Sequence, residues 1–186
     1  MSRTRNIVLI SLTVALTTVG AYLRIPVGPV PLSLQTLFVL LSGALLGPWL
    51  GALAMVSYIL LGLIGLPLFT GGGGPQYILS PTFGFLLSFP ASAMIVGLIL
   101  RSPSGDSSRS MSRKLLAMTI GTGVVYLVGV PWLGLNLFLV QGKTVGIWTL
   151  LMMGMIPFLA GDVLKIILAS WLLGPVEKTL SLSRKR

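Results

Sequence analysis

Several stretches of this chain run for about 17 residues or more with almost no charge, the length a helix needs to cross a bilayer. Over the whole chain 54% of residues are hydrophobic and 9% are charged, whereas about 25% of a typical soluble domain is charged. We therefore predict an all-α integral membrane protein in which residues 1–186 form a single membrane-embedded domain.

The small set of ionisable and reactive side chains limits the catalytic and metal-binding chemistry that this chain can perform. The chain has no cysteine and no histidine, which removes disulfides, thiolates and the commonest general base and metal ligand. Its three acidic residues are Asp106, Asp162 and Glu177, too few to build a carboxylate metal site easily. We expect no catalytic residues, no metal and no cofactor, and an intramembrane enzyme is the least favoured class.

The order of the apolar stretches predicts six transmembrane helices in one bundle. A proline-rich segment ends the first helix, and Pro131 is expected to end the fifth. Residues 66–80 form a glycine-rich loop and residues 101–114 a polar linker, while residues 146–155 make a short helix or a re-entrant piece. The six predicted helices cover residues 6–23, 32–46, 48–65, 81–100, 115–130 and 158–173.

The distribution of Lys and Arg predicts the orientation. With six spans both termini lie on one side, and that side collects ten basic residues against two, Arg24 and Lys143, on the other. Because cytoplasmic loops carry the excess of Lys and Arg, both termini should be cytoplasmic. The net charge of +10 is then a topology signal and at most a contact with anionic lipid, so we expect no nucleic-acid partner.

One polar pair lies inside an apolar run, FLAGDVLK at residues 158–165. Asp162 and Lys165 are three residues apart, so both project from one face of a helix. Burying either charge at a helix centre costs about 2.5–3.5 kcal/mol, and such pairs usually mark the path of a substrate or an ion. A structural ion pair is the alternative. The sharper hypothesis is a polar anchor for a small solute that enters from outside, such as a cyclic urea or amide headgroup.

Other polar residues fall at a similar depth by topology. Singly, each is more often a hydrogen bonder of a loop or a helix contact, but together with Asp162 they favour a binding site. Trp132 and Trp148 suit an interface anchor better than a cavity wall. The candidates at this depth are Gln35, Thr36, Gln76, Tyr77, Thr82 and Asn136.

Two further features indicate motion and association. Gly71, Gly72, Gly73 and Gly74 on the outer side suit a mobile gate over a pocket, with a plain connector as the alternative. Small residues on the first helix, at Ser11 and Ala15, allow close helix approach, either within the bundle or with another membrane subunit.

The ordered set of motifs closely resembles the BioY family, the biotin-specific S components of energy-coupling factor transporters. The resemblance spans residues 29–165, and any one stretch alone would be unspecific. The matching stretches are PVPLSLQTLFVLLSGALLGPWLGALAMVSYILLGLIGLPLF followed by GGGG, then SPTFGFLLSFPASA, YLVGVPWLGL and MIPFLAGDVLK.

The resemblance implies a substrate-binding domain with six helices and cytoplasmic termini, located in a prokaryotic-type cell membrane. It implies biotin capture at the outer face, with the family's polar contacts at Asp162 and Lys165. The glycine-rich segment at Gly71 to Gly74 would act as a lid, and we expect the lid from Phe69 to Tyr77 to order over the ligand. The first-helix residues Ser11 and Ala15 would dock a transmembrane T subunit that joins two ATP-binding-cassette ATPases.

The chain departs from the family at two of these positions. Ser11 replaces an alanine of the docking motif, and Phe85 stands where the family has a tyrosine of the pocket. No basic residue lies between Arg24 and Arg101, so the biotin carboxylate is left to backbone donors, Gln76, Tyr77 or water.

The family reading leaves rival functions to be tested. An autonomous secondary transporter of biotin or another small vitamin would take up a proton on Asp162. A binding or scaffold protein without transport is the other rival. Because the sequence carries no ATP-binding motif, energy for transport has to come from a partner or a gradient.

Overall fold

A computed structural model describes residues 3–101 and 110–184 of the chain, with side chains described as far as residue 175. The described residues form seven α-helices and one short antiparallel ribbon. The helices are α1 (Arg3–Tyr22), α2 (Gln35–Leu46), α3 (Pro48–Leu63), α4 (Phe83–Leu100), α5 (Met111–Gln141), α6 (Ile147–Gly154) and α7 (Leu159–Arg184).

The long apolar helices make this a multi-pass membrane protein. Four stretches of the described chain are long and apolar enough to span a bilayer: Arg3–Tyr22, Phe83–Leu100, Met111–Gln141 and Ile147–Pro175. Helices α2 and α3 are apolar but shorter, at 12 and 16 residues. At a rise of 1.5 Å per residue α2 is roughly 18 Å long, well under the ~30 Å of a hydrocarbon core.

Helix α4 lies at the centre of the bundle, where it packs against α2, α3 and α5. Glycines permit the closest of these contacts. A Cβ built on Gly43 of α2 would lie 2.0 Å from the Ala93 carbonyl oxygen of α4, and one on Gly97 would lie 2.4 Å from the Pro48 nitrogen of α3. Small residues of this kind let helix backbones approach closely in membrane proteins.

The connection between α1 and α2 is more ordered than the sequence suggests. Strand β1 (Arg24–Ile25) pairs with β2 (Leu32–Ser33), and the Leu34 amide donates to the Gly20 carbonyl of α1 at 3.0 Å. The prediction that the second helix starts at residue 32 is therefore wrong, since residues 32–33 are extended. The ribbon ties the start of α2 to the end of α1.

The fifth helix does not stop at Pro131, as the sequence predicted. Helix α5 runs for 31 residues through this proline, so residues 132–141 are not an interrupted stretch. Proline removes only one helical hydrogen bond, and membrane helices tolerate that loss when neighbours pack well. Val130 and Leu133, on either side, are both buried.

The predicted polar linker is also shorter than residues 101–114. Helix α5 begins at Met111, and Lys114 is a buried helical residue. Arg113 holds the two helices together, because its guanidinium donates to the carbonyls of Ile99 and Arg101 at the end of α4. Residues 102–109 lie outside the described part of the chain.

The last helix begins and ends later than predicted. A 3₁₀ turn, Ile156–Phe158, precedes α7, and α7 continues past residue 173 through Pro175. The short helix predicted near residues 146–155 is α6. The chain thus turns sharply just before the Asp162–Lys165 pair, which places that pair in the first turns of α7.

Candidate functional site

A cavity between α2, α4, α5 and α7 is lined by most of the candidate binding residues. It encloses about 590 Å³ of space free of protein atoms, part of it open to solvent. Most of the wall is apolar, and the polar groups gather at a few points, which is the usual form of a small-molecule site. The lining residues are Val30, Pro31, Leu32, Ser33, Gln35, Thr36, Thr70, Thr82, Phe85, Leu86, Phe89, Thr122, Val125, Tyr126, Gly154, Phe158, Asp162 and Lys165.

Asp162 and Lys165 lie together at this cavity, and each is only 5% exposed. The Lys165 ammonium lies 2.9 Å from the Asp162 Oδ1 atom, and it also donates to the Thr36 hydroxyl of α2 at 3.0 Å. The Tyr126 hydroxyl of α5 donates to the other oxygen of Asp162. Three helices therefore fix one buried ion pair, whose two partners satisfy each other's charge.

The local fold explains how the pair is tolerated. Asp162 lies in the first turn of α7, where the helix dipole favours a negative charge. Gly161, the preceding residue, leaves room for Leu32, because a Cβ there would lie 3.2 Å from a methyl carbon of that leucine. The small residue lets the ribbon and α7 approach each other beside the cavity.

The pair retains hydrogen-bonding capacity for a ligand. An ammonium has three N–H donors, of which Lys165 uses two on Asp162 and Thr36. A carboxylate offers about four acceptor positions, and the contacts with Tyr126 and Lys165 occupy two on Asp162. One donor and two acceptor positions beside an apolar wall match a neutral headgroup that carries both N–H and C=O.

The segment of residues 69–80 lies at one end of the cavity, which we call its mouth, and we call this segment the covering segment. Its first turn is closed by two backbone hydrogen bonds between Phe69 and Gly72, and the Gly74 amide donates to the Gly62 carbonyl of α3. The 3₁₀ helix Pro75–Leu79 follows. Gly72 and Gly74 have φ angles of 111° and 107°, which side-chain-bearing residues rarely adopt.

Hydroxyl groups join the covering segment to the cavity mouth. The Tyr77 hydroxyl lies 3.1 Å from that of Thr70 and accepts a hydrogen bond from Thr82 at 3.0 Å. Ser80 completes the group at 2.8 Å from Thr82. All four are neutral, so the outer end of the cavity is closed by hydrogen bonds without any ion pair.

A second hydrogen-bonded chain links the cavity wall with the base of the covering segment. Gln35 lines the cavity and donates to the Tyr58 hydroxyl at 2.7 Å, and Tyr58 donates in turn to the Leu68 carbonyl at 2.7 Å. Tyr58 is fully buried and packs edge-on against the Phe69 ring, with centroids 5.5 Å apart. Phe69 is itself buried beneath the segment.

The other residues predicted for substrate binding fall in different places. Phe85 and Thr82 line the cavity, whereas Gln76 and Tyr77 line a second, outer cavity above the covering segment. Asn136 lines neither cavity, since it is buried on α5 and donates to the Leu79 carbonyl at 2.7 Å.

Of the remaining predicted residues, Gly71 and Gly73 line the outer cavity. Ser11 and Ala15 are both exposed along one side of α1. Trp132 donates to the Ser80 carbonyl, so it supports the covering segment from α5, while Trp148 is 65% exposed.

The structure adds four residues that the sequence analysis did not select. Tyr126, Tyr58 and Thr70 take part in the networks above, and Arg24 lines the outer cavity. A tyrosine inside an apolar run is a weak signal, and nothing in its spacing shows that Tyr126 meets an aspartate 36 residues later. The position of Arg24 depends on the ribbon, which was not predicted.

Comparison with known proteins gives a consistent result. A family model described as the BioY family matches residues 1–182. A protein of Pyrococcus horikoshii named probable biotin transporter BioY is 38% identical over 88% of this chain and 90% of its own length. The biotin transporter BioY of Thermotoga maritima is 34% identical over 89% of this chain and 92% of its own.

A solved structure has the same fold. The crystal structure of the S-component for biotin from an ECF-type ABC transporter superposes with a TM-score of 0.83 at 27% identity. The match covers 96% of this chain and 95% of the other.

Proposed function

The chain belongs to the BioY family, and from this premise we propose that it captures biotin and delivers it across the membrane as the S component of an energy-coupling factor transporter. The observation that carries the proposal is the buried Asp162–Lys165 pair at a cavity whose surface is mostly apolar. The relatives named above are transporters, so this chain is a transport protein and not an enzyme.

The headgroup of biotin suits the polar end of the cavity. Its ureido ring carries two N–H groups and one carbonyl oxygen, and these complement the spare acceptors of Asp162 and the spare donor of Lys165. Asp162 accepts a ureido N–H, and Lys165 donates to the ureido oxygen or balances the aspartate. Phe85 and Phe158 are placed to contact the fused rings from the apolar wall.

The covering segment acts as the lid. Biotin enters from the outer side, and residues 69–77 close over it, with Tyr77 and Thr82 at the mouth and Gln35 on the wall. Gln76 faces the outer cavity and Asn136 supports the lid through Leu79 rather than contacting the ligand. The glycines supply the backbone angles that so tight a segment needs.

For the topology we propose six spans, formed by α1 to α5 and α7, with α6 as a re-entrant piece and the whole chain as one domain. Both termini then lie in the cytoplasm of a prokaryotic-type cell, and the ten-to-two distribution of Lys and Arg supports this orientation. The same basic residues contact anionic lipid at the inner surface.

The partners proposed for transport are a transmembrane T subunit and two ATP-binding-cassette ATPases. The exposed side of α1 at Ser11 and Ala15 supports a docking role, because small side chains let another helix approach closely.

Biotin titration of the purified protein in nanodiscs tests the binding half of the proposal. We expect saturable binding of one biotin per chain, with an unrelated vitamin as the negative control. Absence of saturable biotin binding by folded protein contradicts the proposed function.

Vesicle uptake tests the transport half. We expect uptake to need ATP, the T subunit and the ATPases, and to survive an uncoupler. Uptake by this chain alone that an uncoupler abolishes favours the autonomous secondary transporter instead. Binding without uptake in the full complex favours a scaffold or storage role.

A further inference from the structure

The two cavities of this protein adjoin at the covering segment, along a path that leads to the buried ion pair. They share three lining residues, Pro31, Thr70 and Thr82, all close to the covering segment. The bonded hydroxyls of Thr70, Tyr77 and Thr82 close this junction, so the tail of a ligand whose headgroup lies at Asp162 enters the outer cavity where the covering segment opens.

The inner cavity offers no surplus positive charge for an acidic ligand. Among its lining residues only Asp162 and Lys165 are charged, and they neutralise each other at 2.9 Å. An anion placed there faces the Asp162 carboxylate and loses its hydration, and a buried charge without a partner is strongly disfavoured. The negative end of an acid is more favourably placed at the outer end of the path.

Within the part of the chain that the structure describes, Arg24 is the one charged residue that lines the outer cavity. It lies on β1, where pairing with Ser33 of β2 fixes its backbone next to the wall of the inner cavity. A guanidinium presents its donors in a planar fork that matches a carboxylate in two-pronged fashion. Gly71 and Gly73 of the covering segment line the same cavity and contribute no side chain to it.

We propose that Arg24 is the carboxylate subsite of this protein: it pairs with the negative end of the ligand's tail while the headgroup binds Asp162 and Lys165. The proposal rests on the proposed function, since biotin carries its carboxylate on a flexible chain opposite the ureido ring. It assigns this role to a side chain on the ribbon and not to the backbone donors, Gln76 or Tyr77 favoured by the sequence.

The test compares two ligands and two variants. Affinities of the wild type, Arg24→Gln and Lys143→Gln are measured in nanodiscs for biotin and for biotin primary amide, which lacks the charge. Arg24 is exposed, so its replacement leaves the bundle folded. Lys143 is the matched control, because it is the other exposed cation assigned to the outer side.

Arg24→Gln should weaken biotin binding about fivefold at low salt and leave the amide unaffected, since an exposed ion pair contributes up to about that factor. The difference between variant and wild type should shrink at high salt. Lys143→Gln should change neither affinity.

Three outcomes overturn the assignment. If Arg24→Gln loses the same affinity for biotin and for the amide, Arg24 affects the shape of the site and does not bind the carboxylate. If Arg24→Gln and Lys143→Gln lose the same affinity for biotin, the effect is one of general surface charge. A preference for biotin over the amide that survives in Arg24→Gln shows that another group holds the carboxylate. If the wild type binds neither ligand, the proposed function itself fails, which is a distinguishable result.

Discussion

The two ends of the inner cavity differ in their polar groups, which are charged at one end and neutral at the other. At the deep end a charged pair is fixed by side chains from three helices, through Tyr126, Thr36 and the α7 residues themselves. At the mouth, neutral hydroxyls close a short segment that contains four consecutive glycines. In the proposed function, recognition would fall to the helices, which hold a fixed geometry, and admission of the ligand to the glycine-containing segment.

Removing one charge from the deep end should have the largest effect. Asp162→Asn leaves Lys165 buried beside a neutral amide, and breaking a buried pair on one side costs about 3–5 kcal/mol. Loss of a buried charged partner costs about 2–5 kcal/mol of binding, so we expect biotin affinity to fall about a hundredfold, at about 1.4 kcal/mol per factor of ten. Isothermal titration checks the affinity.

The double variant Asp162→Asn/Lys165→Met is the matched control for that prediction. Because it removes both charges, thermal stability should return towards the wild-type value while biotin binding stays lost. Wild-type affinity in either variant would mean that the pair is purely structural and that the deep end has no part in recognition.

A methyl group in the covering segment should give the next largest effect. In Gly73→Ala the new Cβ would lie 2.0 Å from the Leu66 carbonyl oxygen, so the segment has to shift away from α3. Overpacking of this kind costs about 1–3 kcal/mol, and we expect biotin to dissociate about thirtyfold faster. Stopped-flow dissociation measures it.

Gly71→Ala is the milder comparison within the same segment. Its nearest atom at 3.2 Å belongs to the flexible Tyr77 side chain, so the rate should change much less than in Gly73→Ala. Equal dissociation rates in Gly71→Ala and Gly73→Ala would show that the covering segment does not control biotin release. The two ends of the cavity would then not differ in function as proposed.

Tyr126→Phe removes a single hydroxyl group from the deep end of the cavity. The variant deletes a hydrogen bond to a carboxylate, and such bonds contribute about 1.5–3 kcal/mol. We expect biotin affinity to fall about tenfold, because Asp162 loses one of the groups that fix its orientation. An affinity within twofold of the wild type, measured by titration, would show that the remaining contacts fix Asp162 without Tyr126.

The smallest effect is expected where the two ends are connected. Tyr58→Phe breaks the chain from Gln35 to Leu68, and neutral hydrogen bonds contribute about 0.5–1.5 kcal/mol. Biotin should dissociate about fivefold faster, and hydrogen exchange should rise in the covering segment. Tyr22→Phe removes a bond to the adjacent Pro67 carbonyl that does not reach the cavity wall, so it should leave the rate unchanged. Similar dissociation rates in Tyr58→Phe and Tyr22→Phe would show that the Tyr58 hydroxyl is a structural anchor with no specific effect on biotin release.

Sequence patterns predicted the parts of this molecule that depend on neighbours along the chain. Apolar length gave most helices, and the three-residue spacing placed Asp162 and Lys165 on one face, where they lie 2.9 Å apart. The turn signal at Pro131 failed, because tertiary packing on both sides of the proline outweighs the loss of one helical hydrogen bond. Local rules cannot evaluate such packing.

The remaining site residues depend on contacts between distant segments. Tyr126 meets Asp162 across 36 residues, and Gln35 meets Tyr58 across 23. Arg24 reaches the outer cavity through a two-residue ribbon that is too short to leave an alternating pattern in the sequence. These positions follow from how the helices pack, which one sequence read alone does not specify.

The ribbon also connects α1 with the wall of the inner cavity. One side of this helix, at Ser11 and Ala15, is exposed, while its outer end is bonded through Gly20 to Leu34, next to the cavity residue Gln35. Any protein that tilts α1 would therefore also displace the cavity wall at Gln35. Docking of a partner on α1 and release of the ligand from the cavity would then be coupled directly, through one movement of this helix.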